Sequence, residues 1–236
     1  MDNATRFLNA YNVLDHSLRV QYNFKRSLPF ADVVRRAVLL NSVVRKYEDD
    51  LVDFSRLRNA IVHTSTGEIM AEPNEKVVDK IEHIAYMIST PPRVLDTVCR
   101  KDVLCFGGDE TLEKTIATIY KSGYSNIPVY SNGELIGVAN GQKIINHLGE
   151  VISKGRDITE YIRTCNIKDI VRKDVAENYY HIASSSITLE EALDLFYKNR
   201  KLLVILITKT GLLTEKPLGI VSTTDIMDIN NILENY

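Results

Sequence analysis

Two short groups of polar residues have the types and spacing that chemistry on phosphate-containing molecules requires. The first is Arg58-Asn59-x-x-x-His63, and the second is the run 222–225, Ser-Thr-Thr-Asp, which follows the apolar residues 219–221. A histidine can move protons, and an arginine can hold a phosphate in a planar fork. A serine at the start of a helix can meet an anion, because the first N–H groups of a helix have no partner there.

The first group lies in RLRNAIVHT, residues 56–64, whose apolar side chains fall at helical spacing. Asn59 and His63 are four residues apart, so the amide can orient the imidazole. Arg58 lies about 140° from His63 around an ideal helix, and it reaches the same point through its long side chain or from a second subunit. The alternative is structural: Arg58 makes a surface ion pair and His63 ends the helix.

The second group lies where a strand is expected to end and a helix to begin. Gly219 allows close backbone approach, and the hydroxyl of Ser222 with the free N–H groups around Thr223 can meet a phosphate. Asp225, one turn further on, is placed to accept hydrogen bonds from a ribose diol. The alternative is that Ser222 only caps the helix while Asp225 favours its dipole.

Composition narrows the class of protein. The chain has 236 residues with 29 Lys and Arg against 31 Asp and Glu, so its net charge of −2 gives no general attraction to nucleic acid or membranes. It is 44% hydrophobic and 25% charged, which is typical of globular proteins. We expect no signal peptide and no membrane span. Cys99, Cys105 and Cys165 are scattered and odd in number, which predicts free thiols in the cytoplasm and no metal site.

The elements that must position these residues divide the chain into two parts. Residues 1–90 have helical periodicity and predict an all-α four-helix bundle. Pro91-Pro92 is the expected linker, because neither residue continues a helix. Beyond it, residues 93–236 alternate between strand and helix patterns. The predicted fold class is therefore α+β, with an all-α domain followed by a mixed one.

The second part repeats itself. The segment CRKDV at 99–103 recurs as VRKDV at 171–175, TLEKTIATIYK at 111–121 recurs as TLEEALDLFYK at 188–198, and LIGVANGQKI at 135–144 recurs as PLGIVSTTDI at 217–226. We place repeat one at 93–153 and repeat two at 165–232. Each repeat predicts the order βαββα, with an Asn132-Gly133 hairpin turn in the first. Two copies of one unit are expected to pack with approximate two-fold symmetry.

This tandem βαββα pattern resembles a CBS-domain pair, the nucleotide-sensing module named after cystathionine β-synthase, over about residues 93–232. In that family a strand ends in Gly-hydrophobic-x-Ser/Thr-x-x-Asp. The resemblance implies an adenosine-nucleotide site, for AMP, ADP or ATP as regulatory ligand. Its residues would be those of repeat two, Gly219, Ser222, Thr223 and Asp225.

Repeat one departs from this pattern. Asn140 stands at the hydroxyl position, and Lys143 stands where the aspartate belongs. A lysine has only donors and cannot accept a hydrogen bond from a ribose diol, although it could reach a phosphate. We therefore expect one dominant nucleotide site per chain.

The helical part resembles HEPN domains, small helical bundles that include many metal-independent ribonucleases and also inactive binding modules. The resemblance depends on the Arg58-Asn59-x-x-x-His63 motif. It implies an RNase site completed across a homodimer, with His63 as general acid or base, Arg58 on the phosphate and Asn59 fixing the imidazole. A non-catalytic binding role and a purely structural role are the alternatives.

The sequence thus predicts a cytoplasmic homodimer in which adenosine nucleotide at the CBS pair controls a HEPN-type endoribonuclease. RNA is the candidate partner of the helical domain, and neither a metal nor a membrane partner is expected. The other function class is a non-enzymatic nucleotide-binding adaptor whose helical domain docks a protein or RNA partner.

Overall fold

A computed structural model of the chain describes residues 2–62, 71–171 and 179–235. The contacts divide it into two compact units, and each is described by itself. The first unit comprises Met1–Pro92 with Asn230–Tyr236, and the second comprises Arg93–Ile229. Within the described ranges, no helix is both long and apolar enough to cross a bilayer.

The first unit is helical, as predicted. Five helices lie in its described residues up to Pro92: α1 (Asn3–Gln21), α2 (Phe30–Ala37), α3 (Ser42–Lys46), α4 (Glu48–Ile61) and α5 (Glu75–Ser89). The prediction of four missed α3. This helix is separate because the Asn41 side chain accepts a hydrogen bond from the Val44 N–H and so starts a new helix.

The core of the first unit lies along α1 and α5. Phe7 and Leu14 of α1 and Ile81 and Ile84 of α5 are fully buried. Each such side chain contributes roughly 1.5–3 kcal/mol on burial. The ring of Phe54 meets that of Phe7 edge to face at 5.8 Å between centroids, which ties α4 to this core.

The second unit contains two three-stranded sheets, which confirms the mixed α+β class. Repeat one contains β1 (Phe106–Gly107), α6 (Leu112–Ser122), β2 (Asn126–Ser131), β3 (Glu134–Asn140) and α7 (Gly141–Ser153). Two helices follow, α8 (Ile158–Thr164) and α9 (Ile167–Val171). Repeat two contains β4 (Tyr180–Ser184), α10 (Leu189–Lys198), β5 (Val204–Thr208), β6 (Gly219–Ser222) and α11 (Ile226–Asn235).

The two sheets have the same topology. In each, the first strand pairs parallel with the second, and the second pairs antiparallel with the third. The β2–β3 hairpin turns at Asn132 and Gly133, whose φ angles of 52° and 82° confirm the predicted tight turn. The β5–β6 connection is longer. The two repeats therefore have the same strand order and pairing, and they differ in the length of the hairpin connection.

The segment that precedes the first strand of each repeat packs on the sheet of the other repeat. We call these two segments, around Cys99–Arg100 and around Val171, the entry segments. Arg100, which precedes the first strand of repeat one, forms an antiparallel bridge with Ile220 in the last strand of repeat two, through N–H···O hydrogen bonds of 3.1 and 3.0 Å. Strand β1 begins at Phe106, six residues after this bridge. A Cβ at Gly219 would lie 2.1 Å from Cys99 Sγ, and one at Gly137 would lie 3.0 Å from Val171 Cβ.

Candidate functional site

The Ser-Thr-Thr-Asp run lies at the end of β6. Ser222 has extended backbone angles, Thr223–Asp225 form one 3-10 turn, and α11 follows. The Ser222 N–H donates to Asp225 Oδ2 at 2.7 Å, and the Ser222 hydroxyl approaches the same oxygen at 3.0 Å. The same hydroxyl lies 2.7 Å from Thr224 Oγ1. The Asp225 carboxylate thus accepts both hydrogen bonds from Ser222, and these contacts hold a carboxylate and two hydroxyl groups together at the helix start.

These residues line a cavity of about 670 Å³ that both repeats build. The second repeat contributes Leu203, Val204, Ile220 and 222–225, and the first contributes Val98, Arg100, 102–104, 122–126, Asn140 and Gln142. Its volume is within the range of small-molecule sites, roughly 300–1,000 Å³. Its lining combines apolar side chains with a larger number of polar ones, which suits a ligand that has both a ring and several hydrogen-bonding groups.

Arg100 is held at the cavity by two contacts. Its main chain is bridged to Ile220, and residues opposite each other in an antiparallel pair point to the same side. Ser222, two residues beyond Ile220, belongs to that side as well, since side chains alternate along a strand. The Arg100 guanidinium lies 4.4 Å from the centre of the Tyr124 ring, which also lines the cavity.

Sequence reasoning missed Arg100. The signal was available, because CRKDV and VRKDV repeat the arginine at the entry of both copies. What the repeat could not tell is that the first copy's arginine would lie on the second copy's strand.

Gly219 is buried and does not line the cavity. Close backbone approach at this glycine was expected, and the group that approaches is the chain segment at Cys99 and Arg100, whose carbonyl oxygen would be 3.2 Å from an added Cβ. Thr223 is exposed and lines the cavity beside Ser222.

The corresponding helix start in repeat one has different contacts. Asn140 accepts a hydrogen bond from the Lys143 N–H at 3.0 Å and donates to Asn126 Oδ1 at 2.7 Å. The Lys143 ammonium lies 3.8 Å from the centre of the Tyr179 ring, and the Tyr179 hydroxyl donates to the Val138 carbonyl at 2.7 Å. The residue that replaces the aspartate is therefore packed on an aromatic ring within the fold.

In the helical unit, Arg58 and Asn59 lie in the last turn of α4. The Arg58 guanidinium donates to Asn59 Oδ1 at 3.3 Å, so these neighbours contact each other. His63, the third residue of the predicted catalytic motif, lies outside the described residues.

The three cysteines lie outside the motif at 222–225 and form no disulfide. Cys99, Cys105 and Cys165 are free, and burial raises the pKa of Cys99 to about 11, which keeps this thiol protonated at neutral pH. Over residues 2–62, 71–171 and 179–235, no group of three or more His, Cys, Asp and Glu side chains is placed to hold a metal ion.

Comparison with known proteins gives similarities to solved CBS-domain structures. Among them are CBSX2 in complex with AMP (15% identity, TM-score 0.43, 61% of this chain and 98% of that chain covered) and a CBS domain-containing protein from Bacillus anthracis (20%, 0.45, 59% and 93%). Another is the CBS domain of a membrane protein from Sphaerobacter thermophilus (17%, 0.45, 65% and 97%). No curated protein matches the chain.

The family model for the CBS domain matches residues 95–150 and 167–230. These two segments coincide with the two βαββα units and together make up just over half of the chain. With a duplicated fold, exchanged entry segments and one cavity built by both copies, the chain belongs to the CBS-domain family.

Proposed function

We propose that the CBS pair binds an adenosine nucleotide, AMP, ADP or ATP, in the 670 Å³ cavity and acts as a regulatory sensor. The observation that carries this proposal is that Ser222 and Asp225 line a cavity of nucleotide size to which both repeats contribute. In repeat one, Lys143 replaces the acidic residue and packs on a ring instead.

The chemistry assigns a role to each group. The Asp225 carboxylate accepts hydrogen bonds from the ribose hydroxyls; its Oδ2 already binds Ser222, and Oδ1 is available for a ligand. The Ser222 hydroxyl binds phosphate, whereas the Thr223 N–H is not one of the phosphate donors, because it already donates to the Leu203 carbonyl at 3.1 Å. The Ile220 side chain supplies apolar surface for the base, while Gly219 keeps the entry segment close to the strand.

A bound nucleotide can regulate the protein because the cavity lies between the two repeats. Since both repeats line the cavity, a ligand stabilises the arrangement of the two repeats in which the residues lining the cavity are closest to each other. A ligand shifts an equilibrium only by its difference in affinity for the two states. The nucleotide therefore controls the function of the helical unit to the extent that two arrangements of the CBS pair differ in their affinity for the nucleotide.

Titration calorimetry with AMP, ADP and ATP tests this proposal. Asp225→Ala should weaken binding at least about 30-fold, since a carboxylate that accepts from a diol makes charge-assisted hydrogen bonds. Lys143→Ala is the matched control at the same position of repeat one, and it should change the affinity less than about threefold. Equal affinities of wild type and Asp225→Ala would remove the assignment.

For the helical unit we propose a metal-independent endoribonuclease that works as a cytoplasmic homodimer on RNA, with Arg58, Asn59 and His63 as its site. His63 would take or give the proton as the 2′-hydroxyl attacks its own phosphate, and Arg58 would bind the developing charge. What supports this is the motif and the contact between Arg58 and Asn59, which restrains a guanidinium at the end of α4.

The same contact favours a second candidate, the non-enzymatic adaptor. Asn59 Oδ1, the acceptor that would orient an imidazole N–H, already accepts from Arg58. RNA cleavage by wild type and by His63→Ala, measured in EDTA with both proteins matched for melting temperature, distinguishes the two. A ribonuclease should lose about a hundred- to ten-thousand-fold in rate in the variant and leave 2′,3′-cyclic phosphate ends. Absence of cleavage by wild type with every nucleotide would support the adaptor.

A further inference from the structure

The charged groups at the cavity distinguish between adenosine nucleotides. Among the described residues that line it, Arg100 is the one basic side chain, and Asp102 and Asp225 are acidic. We propose that the cavity selects adenosine ligands with a single phosphate over those with two or three, and that Asp102 is the residue that rejects the longer phosphate chains. This inference depends on the proposed nucleotide site.

The single cation is held in one place. Both main-chain hydrogen bonds of the bridge to Ile220 fix the backbone of Arg100, and its guanidinium lies over the Tyr124 ring at 4.4 Å. A guanidinium binds one phosphate well, through two parallel hydrogen bonds. Because Arg100 is anchored at both its backbone and its head group, it can neutralise one phosphate group and cannot follow a chain of three.

The two carboxylates differ in what already surrounds them. Asp225 accepts from the N–H and hydroxyl of Ser222, so its charge is partly compensated. Asp102 is exposed and makes neither a hydrogen bond nor an ion pair with any part of the chain that the structure describes. It is thus an exposed carboxylate at the cavity wall whose charge is screened by solvent and by no partner among the described residues.

The ligand charges then decide the order of affinities. Each added phosphate brings about one to two negative charges. Like charges several ångströms apart near a protein surface repel strongly enough to change an equilibrium constant about tenfold or more. With one fixed cation and one uncompensated anion at the wall, AMP should bind at least about tenfold more tightly than ATP. Because Asp102 is exposed, this difference should shrink as salt is added.

The test is titration of adenosine, AMP, ADP and ATP into the full-length protein in EDTA, at low and high salt. Wild type should bind AMP most tightly of the three nucleotides. Asp102→Asn should raise the affinity for ATP about tenfold and change that for AMP less than threefold, so that the AMP-to-ATP ratio falls. Arg100→Gln should lower AMP affinity at least tenfold and leave adenosine affinity within about threefold, and Arg100→Lys should recover part of the loss.

Thermal melts of each variant identify any that fail to fold. Asp102→Asn is an isosteric change at an exposed position, so we expect this variant to fold and to give an interpretable affinity. Equal or tighter binding of ATP in wild type would overturn the selectivity, and so would an unchanged AMP-to-ATP ratio in Asp102→Asn. If those results come with binding that still depends on Asp225, the nucleotide site itself stands. Failure of all four compounds to bind overturns both proposals.

Discussion

The two repeats build the same strand-to-helix junction and use it for different purposes. In repeat two, Ser222 and Asp225 line the cavity, and in repeat one, Asn140 lines the same cavity and caps its helix while the Lys143 ammonium lies over the Tyr179 ring. Both junctions satisfy the first N–H group of the helix, since Thr223 donates to the Leu203 carbonyl and Gly141 to the Ser125 carbonyl. The comparison shows that both repeats place a helix start at the cavity, and that repeat two differs by the acceptor one turn further on.

The largest effect should come from giving repeat two the chemistry of repeat one. The double variant Ser222→Asn and Asp225→Lys keeps a capping side chain and removes the diol acceptor, since lysine has donors only. We expect AMP affinity to fall at least about a hundredfold while the melting temperature changes little. Calorimetry and a thermal melt on the same preparation check this.

The reverse exchange controls for this result. Asn140→Ser with Lys143→Asp should leave the stoichiometry at one nucleotide per chain, because the Tyr179 ring still packs against the junction and its hydroxyl binds the Val138 carbonyl. A second binding event in that variant would show that the motif alone makes a site.

A smaller effect is expected from the glycine that admits the entry segment. Gly219→Ala adds a Cβ that would lie 2.1 Å from Cys99 Sγ. Overpacking of this kind lowers the free energy of unfolding by about 1–3 kcal/mol. Adding Cys99→Ala removes the sulfur and should restore part of the lost free energy of unfolding. Urea denaturation of both single variants and the double variant measures the coupling free energy between positions 219 and 99. If the changes in the free energy of unfolding simply add, the proposed contact between the new Cβ and the sulfur is contradicted.

Capping should contribute similarly in both repeats. Asn140→Ala removes the acceptor for the Lys143 N–H and also the partner of Asn126, so unfolding should become easier by about 1–2 kcal/mol. Ser222→Ala should cost about 1 kcal/mol and also weaken nucleotide binding, an effect that Asn140→Ala should show only weakly. Similar loss of affinity in both variants would remove the distinction between the junctions.

The smallest effect concerns the longer hairpin of repeat two. The Thr210 N–H and hydroxyl bind the Glu215 carboxylate at 2.7 and 3.0 Å, and the N–H contact is the main reason that the pKa of Glu215 is lowered to about 2. A lowered folded-state pKa means that the stabilisation is complete above the ordinary value, 4.5, and is lost as the pH falls from there toward 2.

Following the Thr210 amide by NMR during an acid titration checks this sign. Its shift should move with a midpoint near pH 2, and Glu215→Gln should remove that transition. A midpoint near 4.5 would mean that the loop contact does not persist in solution. Repeat one closes its hairpin with Asn132 and Gly133 at positive φ and should show no corresponding transition.

Local signals explain which parts of this fold could be predicted. The Asn132-Gly133 turn needs only two residues that accept positive φ, and Thr188 with Glu191 forms a capping box that starts α10. Turns and helix caps of this kind depend only on residues that are close together in the sequence. The helix α8 was missed although Asp157 caps it, because its seven residues are too few to establish a periodicity.

Long-range contacts explain what could not be predicted. Arg100 lies at the cavity because it pairs with Ile220, and no pattern around residue 100 contains that information. The motif at 222–225 could be recognised from its own residues, while the Lys143–Tyr179 contact, which packs the repeat-one junction, joins distant segments. The catalytic motif of the helical unit remains a prediction, since His63 lies outside the described residues.

The exchanged entry segments have a consequence for biosynthesis. The Cys99 thiol donates to the carbonyl of Ile220, which lies 121 residues further along the chain, beside the bridge between Arg100 and Ile220. A ribosome adds roughly 5–20 residues per second, so the segment at Cys99 is made roughly 6–24 s before the strand that completes it. Through that interval the segment at Cys99 and Arg100 has no strand partner, and an unpaired strand edge is a site for chaperone capture or for pairing with another nascent chain. Translation that stops before β6 leaves this segment unpaired and the sheet of repeat two without its third strand.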